Sequence, residues 1–186
     1  MKQIIIASNN AGKVRELKQL LQPLGYEVIS QSEAGFCIEA DETGKTFEAN
    51  ALLKAEAVYK NIKSKGHTGV LADDSGLCVD ALGGAPGVDT AHYNIEWLLE
   101  QMRDVPDTER TAEFVCCLCL KDKSGERFFT GRCKGQIGFE CRGDKGFGYD
   151  PIFMVGNNSF AEMTDSQKNQ ISHRGRALRK LVEELL

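Results

Sequence analysis

Three polar segments punctuate the apolar runs of this chain, and each carries residue types that hold phosphate or metal. Ile4-Ile5-Ile6 leads into Ser8-Asn9-Asn10-Ala11-Gly12-Lys13, and Val70-Leu71-Ala72 leads into Asp73-Asp74-Ser75-Gly76. Gly146-Phe147-Gly148-Tyr149-Asp150-Pro151 precedes Ile152-Phe153-Met154-Val155. Strand-to-helix loops are where α/β proteins bind ligands. Amides with a lysine, adjacent carboxylates and a glycine-flanked aromatic together point to a nucleotide polyphosphate.

The chemistry of each segment has an ordinary structural alternative. Asn9 and Asn10 stand just before a helix, whose first amides lack internal partners and carry partial positive charge. Phosphate binds at such ends. Lys13 in the first turn opposes the dipole unless an anion neutralises it; the alternative is an Asn cap beside a solvated lysine. A Walker-type G-x-x-x-x-G-K-[ST] pattern is absent. Asp73 and Asp74 follow a strand and should point to opposite sides. A carboxylate there suits Mg²⁺, which shares substrate phosphates, or accepts a proton from water; the alternative is an Asx-type turn.

Other candidates lie on helices and loops. Asn50 and Lys54 are four apart on one helix face, with Glu48 within reach of a metal; an ordinary amphipathic helix would look the same. Glycines on both sides of Phe147 allow unusual backbone angles, so its ring can stack on a base. Ser172 reads as a helix cap followed by His173 and Arg174. Those cations oppose the helix dipole, and with Lys168 nearby they suit a keto oxygen or a phosphate.

The elements that must carry these residues follow from periodicity. Residues 2–7 read as a buried strand, followed by a helix with Val14, Leu17, Leu21 and Leu24 on one face, ended by Pro23 and Gly25. Tyr26–Ser30 is a short strand, and Phe47–Ile62 a helix burying Ala51, Ala55, Val58 and Ile62. Val70–Asp73 and Leu77–Val79 read as short strands around a turn. Ile95–Met102 is a short helix. Arg110–Lys121 and Arg127–Gly138 form a hairpin, Ile152–Val155 a strand, and Ser172–Leu186 a closing helix. Strands first alternate with helices and then cluster, which predicts an α/β fold with a mixed sheet.

Composition narrows the function. The chain has 186 residues, 41% hydrophobic and 27% charged, which fits one globular domain. A net charge of −4 argues against a nucleic-acid polymer as partner, since backbone binding needs a basic field. No apolar run reaches the roughly 20 residues of a membrane span, and no secretory signal is visible. The seven cysteines form no C-x-x-C pair. Cys116, Cys117 and Cys119 read as buried apolar residues of a strand, which fits a reducing cytoplasm.

Taken together, the motifs resemble the Ham1/inosine triphosphatase family. They are Ser8-Asn9-Asn10-x-x-Lys13, Leu71-Ala72-Asp73-Asp74-Ser75-Gly76-Leu77, Gly84-Ala85-Pro86-Gly87-Val88, Gly146-Phe147-Gly148-Tyr149-Asp150-Pro151-Ile152-Phe153, and Lys168-Asn169 with Ser172-His173-Arg174. The resemblance covers Ile6 to Leu181. It implies Mg²⁺-dependent hydrolysis of ITP, dITP and XTP to the monophosphate and pyrophosphate. It implies a single domain over residues 1–186, with an elongated mixed sheet flanked by helices and two lobes around a nucleotide cleft, usually as a homodimer. Asp74 is then the general base and a metal ligand; Glu48, whose place on the helix puts it within reach of a metal, is expected as a second ligand. Ser8, Asn9, Asn10, Ala11, Gly12, Lys13, Ser75 and Lys168 hold phosphates and sugar, and Phe147, Gly148, Tyr149, Asp150, His173 and Arg174 form the base pocket; Lys54, on the helix face of Asn50, is a further expected substrate contact.

Two departures stand out. Ala49 takes the place of the Glu in the family's Glu-Asn-Ala, with Glu48 before it. His92 in Pro86-Gly87-Val88-Asp89-Thr90-Ala91-His92-Tyr93 replaces an arginine, and the loop after Tyr93 is shortened. A nucleotide sensor without turnover, and a Maf-like pyrophosphatase acting on modified pyrimidine nucleotides, are the competing expectations.

Overall fold

The computed structural model describes residues 3–62 and 69–185. The described strands form a seven-stranded mixed sheet in the order β2-β1-β3-β4-β5-β6-β7. In it β1 (Gln3–Ala7) lies parallel to both β2 (Glu27–Ser30) and β3 (Gly69–Val79), with Ile5 opposite Ile29 on one side and Val70 on the other. The helices α1 (Ala11–Leu21) and α2 (Phe47–Ile62) lie between these strands in sequence, as parallel pairing requires. The strands β4 (Thr111–Asp122) and β5 (Gly125–Ile137) follow, and β6 (Phe153–Val155) and β7 (Asn158–Ser159) add antiparallel. The chain divides into two compact units: Met1–Asp74 with Cys117–Thr130 and Ala177–Leu186, and Ser75–Cys116 with Gly131–Arg176.

The first unit is built on the periodicity of α2. Ala51, Ala55, Val58 and Ile62 are its buried stripe, as their spacing predicts, and they pack with Ile5, Val70, Ala72, Cys117 and Cys119. Burying a side chain of Ile or Val size stabilises by about 1.5–3 kcal/mol, so this stripe rather than intrinsic propensity fixes the helix. The cysteines in β4 are small core residues, and burial pushes the Cys119 thiol up to about 12. In the second unit α3 (Ile95–Gln101) places Leu98 in one core with Leu77, Phe114, Ile137, Phe153 and Phe160.

Several expectations are corrected. Residues 69–79 form one continuous strand rather than two strands around a turn, so Asp73 and Asp74 sit inside β3 and not in a loop. Leu24 lies beyond α1 in a 3₁₀ turn and is 44% exposed, off the predicted buried face. Asp165–Ile171 forms a helix, α4, capped by Thr164 and Gln167, which periodicity misses because it is only seven residues long. The last helix, α5, spans His173–Leu185, and Ser172 Oγ accepts from Gly175 N at 3.1 Å, so Ser172 caps it as expected. Residues 2 and 186, included in the expected first strand and last helix, lie outside the described residues.

Candidate functional site

In the first unit the candidate site begins at the end of β1. Asn10 is the cap of α1, and its Oδ1 accepts from Lys13 N at 3.1 Å. Ser8 Oγ accepts from Asn10 N at 3.2 Å. The first turn of α1 contains no acidic side chain, so nothing on the helix itself neutralises the positive end. Lys13 reaches across to β3, with Nζ 2.6 Å from Asp73 Oδ1.

A second lysine completes the cluster. Lys54, one turn after Asn50 on α2, places Nζ 2.6 Å from Asp74 Oδ1 and 2.7 Å from Glu42 Oε2. Two ammonium groups therefore meet three carboxylates, Asp73, Asp74 and Glu42. Glu48 is exposed in the first turn of α2, and the second carboxylate sharing a lysine with Asp74 is Glu42. Sequence reasoning passed over Glu42 because a loop acid in Asp41-Glu42-Thr43-Gly44 looks solvated; only the fold joins it to Lys54. Asn50 is buried instead, and its Oδ1 accepts from Gly44 N at 2.8 Å, closing the loop that carries Glu42.

Electrostatics sharpen the role of Asp74. Burial pushes its carboxyl above the ordinary value, against the opposing pull of Lys54 and Lys13. Burial also pushes Lys54 down, but Asp74 and Glu42 outweigh it and hold the ammonium above its usual range. The contact thus joins a firmly protonated amine to a carboxylate of raised proton affinity, the property a base for water needs. Asp74 Oδ2 is buried with no hydrogen-bond partner among the described residues. An orphaned carboxylate oxygen with Glu42 nearby fits a hard divalent cation. Among the described residues no group of three or more His, Cys, Asp or Glu that could by itself hold a metal ion is found.

The second unit gathers the aromatic and cationic candidates. Gly146 and Gly148 adopt φ of +77° and +59°, the left-handed region expected around Phe147. A Cβ on Gly146 would collide with the Asp150 carboxylate. Asp150 Oδ2 accepts from Phe147 N at 2.8 Å and from Lys168 Nζ at 2.7 Å, so it fixes both the loop and the cation. Lys168, in the last turn of α4, also lies 4.9 Å from the centre of the Phe147 ring. Arg174 lies 5.7 Å from the same ring and donates to Ser75 Oγ at 3.3 Å. His173 stacks on Phe114 at 4.6 Å. Tyr149 points elsewhere: it is buried, and its hydroxyl donates to Tyr93 O at 2.8 Å, holding the segment that carries His92.

Lys168 and Asp150 form a closed pair, with side chains 5% and 3% exposed. Breaking a buried pair from one side costs about 3–5 kcal/mol, because a charge is left poorly compensated. Lys168→Met should therefore lower the urea midpoint strongly, and adding Asp150→Asn should recover part of the loss. A single variant as stable as the parent would contradict the pairing.

The Ham1 family model matches residues 4–184. The dITP/XTP pyrophosphatase of Bacillus subtilis (strain 168) is 47% identical over 197 residues, covering 100% of this chain and 98% of the relative. That of Clostridium perfringens is 46% identical, again over 100% of this chain and 98% of the relative. Among solved structures, the Staphylococcus aureus Ham1 protein matches with a TM-score of 0.84 at 40% identity, covering 99% of this chain and 98% of that one. A HAM1 protein from Coxiella burnetii matches with a TM-score of 0.86 at 37% identity, covering 100% and 98%. With that coverage, and with the quoted motifs in place, the chain belongs to the Ham1 family.

Proposed function

We propose that the protein hydrolyses the triphosphates of deaminated purine nucleosides, dITP, ITP and XTP, to the monophosphate and pyrophosphate, and so clears them from the nucleotide pool. The observation that carries this reading is Asp74: a buried carboxylate with one oxygen on Lys54 and the other unpartnered. Relatives that match the whole chain are named dITP/XTP pyrophosphatase, which supplies the substrate class.

In this reading Asp74 takes the proton of the attacking water. The α1 start (Ser8, Asn9, Asn10, Ala11 and Gly12) presents donors to phosphate, and Lys13 leaves Asp73 for the substrate anion. Lys54 keeps Asp74 oriented. Asp74 and Glu42 would hold Mg²⁺, which supplies charge neutralisation for the departing pyrophosphate. Phe147 stacks on the purine, with Lys168 and Asp150 holding its loop in place. Arg174 and His173 donate to the 6-keto oxygen. Adenine presents an amino group there, and each unmade buried hydrogen bond costs about 1–3 kcal/mol.

A sensor would need neither a raised carboxylate nor a metal-ready oxygen, so the enzyme reading is favoured over it. Two further features belong to the proposal. A cytoplasmic setting fits the seven free cysteines; no described helix is long and apolar enough to cross a membrane. A homodimer would cover exposed apolar side chains such as Phe139. Phosphorus NMR of a dITP reaction tests the chemistry. Pyrophosphate and dIMP should appear together, and chelation of the metal should stop both; inorganic phosphate as the first product would overturn the assignment.

A further inference from the structure

The Ser8-Asn9-Asn10 turn spends two of its side chains locally, Ser8 on Asn10 N and Asn10 on the helix cap. Asn9 is exposed, yet it is not left to rotate. Gln31 Nε2 donates to Asn9 Oδ1 at 2.7 Å and to the Ile38 carbonyl at 3.1 Å. The Ile38 oxygen can only accept, so the Gln31 group facing it must be the NH₂. The Asn9 atom facing that same NH₂ must then be the oxygen. Flipping either carboxamide would set two acceptors or two donors against each other. The amide of Asn9 is thereby turned away from Gln31 as a donor.

The clamp itself is rigid. Gln31 is 2% exposed, its N–H donates to Ile6 O at 3.0 Å, and its carbonyl accepts from Phe36 N at 2.8 Å. It also carries a cost, because Gln31 Oε1 is buried with no hydrogen-bond partner among the described residues. Such an atom costs about 1–3 kcal/mol, which offsets part of what the two Nε2 hydrogen bonds contribute.

We propose that Gln31 is a positioning residue for the phosphates of the nucleotide: it holds Asn9 by its oxygen and so presents the Asn9 amide as a fixed donor to a phosphate oxygen. The ligand's identity rests on the pyrophosphatase reading above. Preorganising a donor strengthens binding by removing the cost of ordering it, without any new contact.

A double-mutant cycle of Gln31→Met and Asn9→Ala tests this. Affinity for inorganic tripolyphosphate with Mg²⁺ is measured by calorimetry, together with KM and kcat for dITP. Gln31→Met alone should weaken tripolyphosphate binding and raise KM by about tenfold, the scale of a weakened hydrogen bond to an anion, with kcat nearly unchanged. In the Asn9→Ala background the same change should do nothing further. Equal losses in both backgrounds would mark Gln31 as merely structural and overturn the clamp, leaving the pyrophosphatase reading intact. Polyphosphate coupling in a chain that does not turn over dITP would retain the clamp and remove that reading instead.

Discussion

Asp74→Asn should reduce kcat for dITP by about 10²–10⁴-fold, the usual worth of a positioned general base, while leaving the fold and nucleotide binding in place. The amide oxygen of Asn can still accept from Lys54 where Asp74 Oδ1 does now, at 2.6 Å. What disappears is the charge and the proton affinity that burial raises. Removing that carboxylate also weakens metal binding, so the rate is taken at saturating Mg²⁺. Calorimetry on the variant shows separately whether dITP still binds. A kcat near the parent value would remove Asp74 as the base, and full rescue by added Mg²⁺ would reassign it to metal binding alone.

Arg174→Ala should erase much of the preference for dITP over dATP. Arg174 sits beside the Phe147 ring with Nη2 on Ser75 Oγ, where its fork can donate to a keto oxygen. Hydrogen bonds from a charged donor contribute about 1.5–3 kcal/mol, so kcat/KM for dITP should fall about 10- to 100-fold. The value for dATP should hardly change, because adenine offers no acceptor there. Arg174→Lys keeps the charge but loses the fork, and should fall between the two. An equal loss for both nucleotides would assign Arg174 to phosphate rather than to the base.

How far these roles were legible in the chain depended on the range of the interaction. The stripe of α2 was readable because Ala51, Ala55, Val58 and Ile62 recur at helical spacing and pack into a core. The glycines around Phe147 were readable because φ above zero is a local demand. β3 was not, because Asp73-Asp74-Ser75-Gly76 has the composition of a turn. Only partners far along the chain let those acids stay in a buried strand. Lys13 lies 60 residues from Asp73, and Lys54 lies 20 from Asp74.

The same limit explains the individual misplacements. Tyr149 belongs to a motif that reads as a base pocket, but its hydroxyl is taken up by Tyr93, 56 residues away. Glu42 and Gln31 act through a lysine and an asparagine that no local pattern connects to them. The capping pairs Ser159 with Glu162 and Thr164 with Gln167 are local S/T-x-x-E/Q signals that the expected elements above do not include. They mark the starts of the turn and helix that position Lys168.

The most direct test is kcat/KM for pyrophosphate release from dITP, ITP, XTP, dATP, dGTP and methylated UTP under one set of conditions with Mg²⁺. The hypoxanthine and xanthine nucleotides should lead the adenine nucleotide by about tenfold or more, the worth of a single matched hydrogen bond. A flat profile across the purines, or a lead for the pyrimidine nucleotide, would contradict the account.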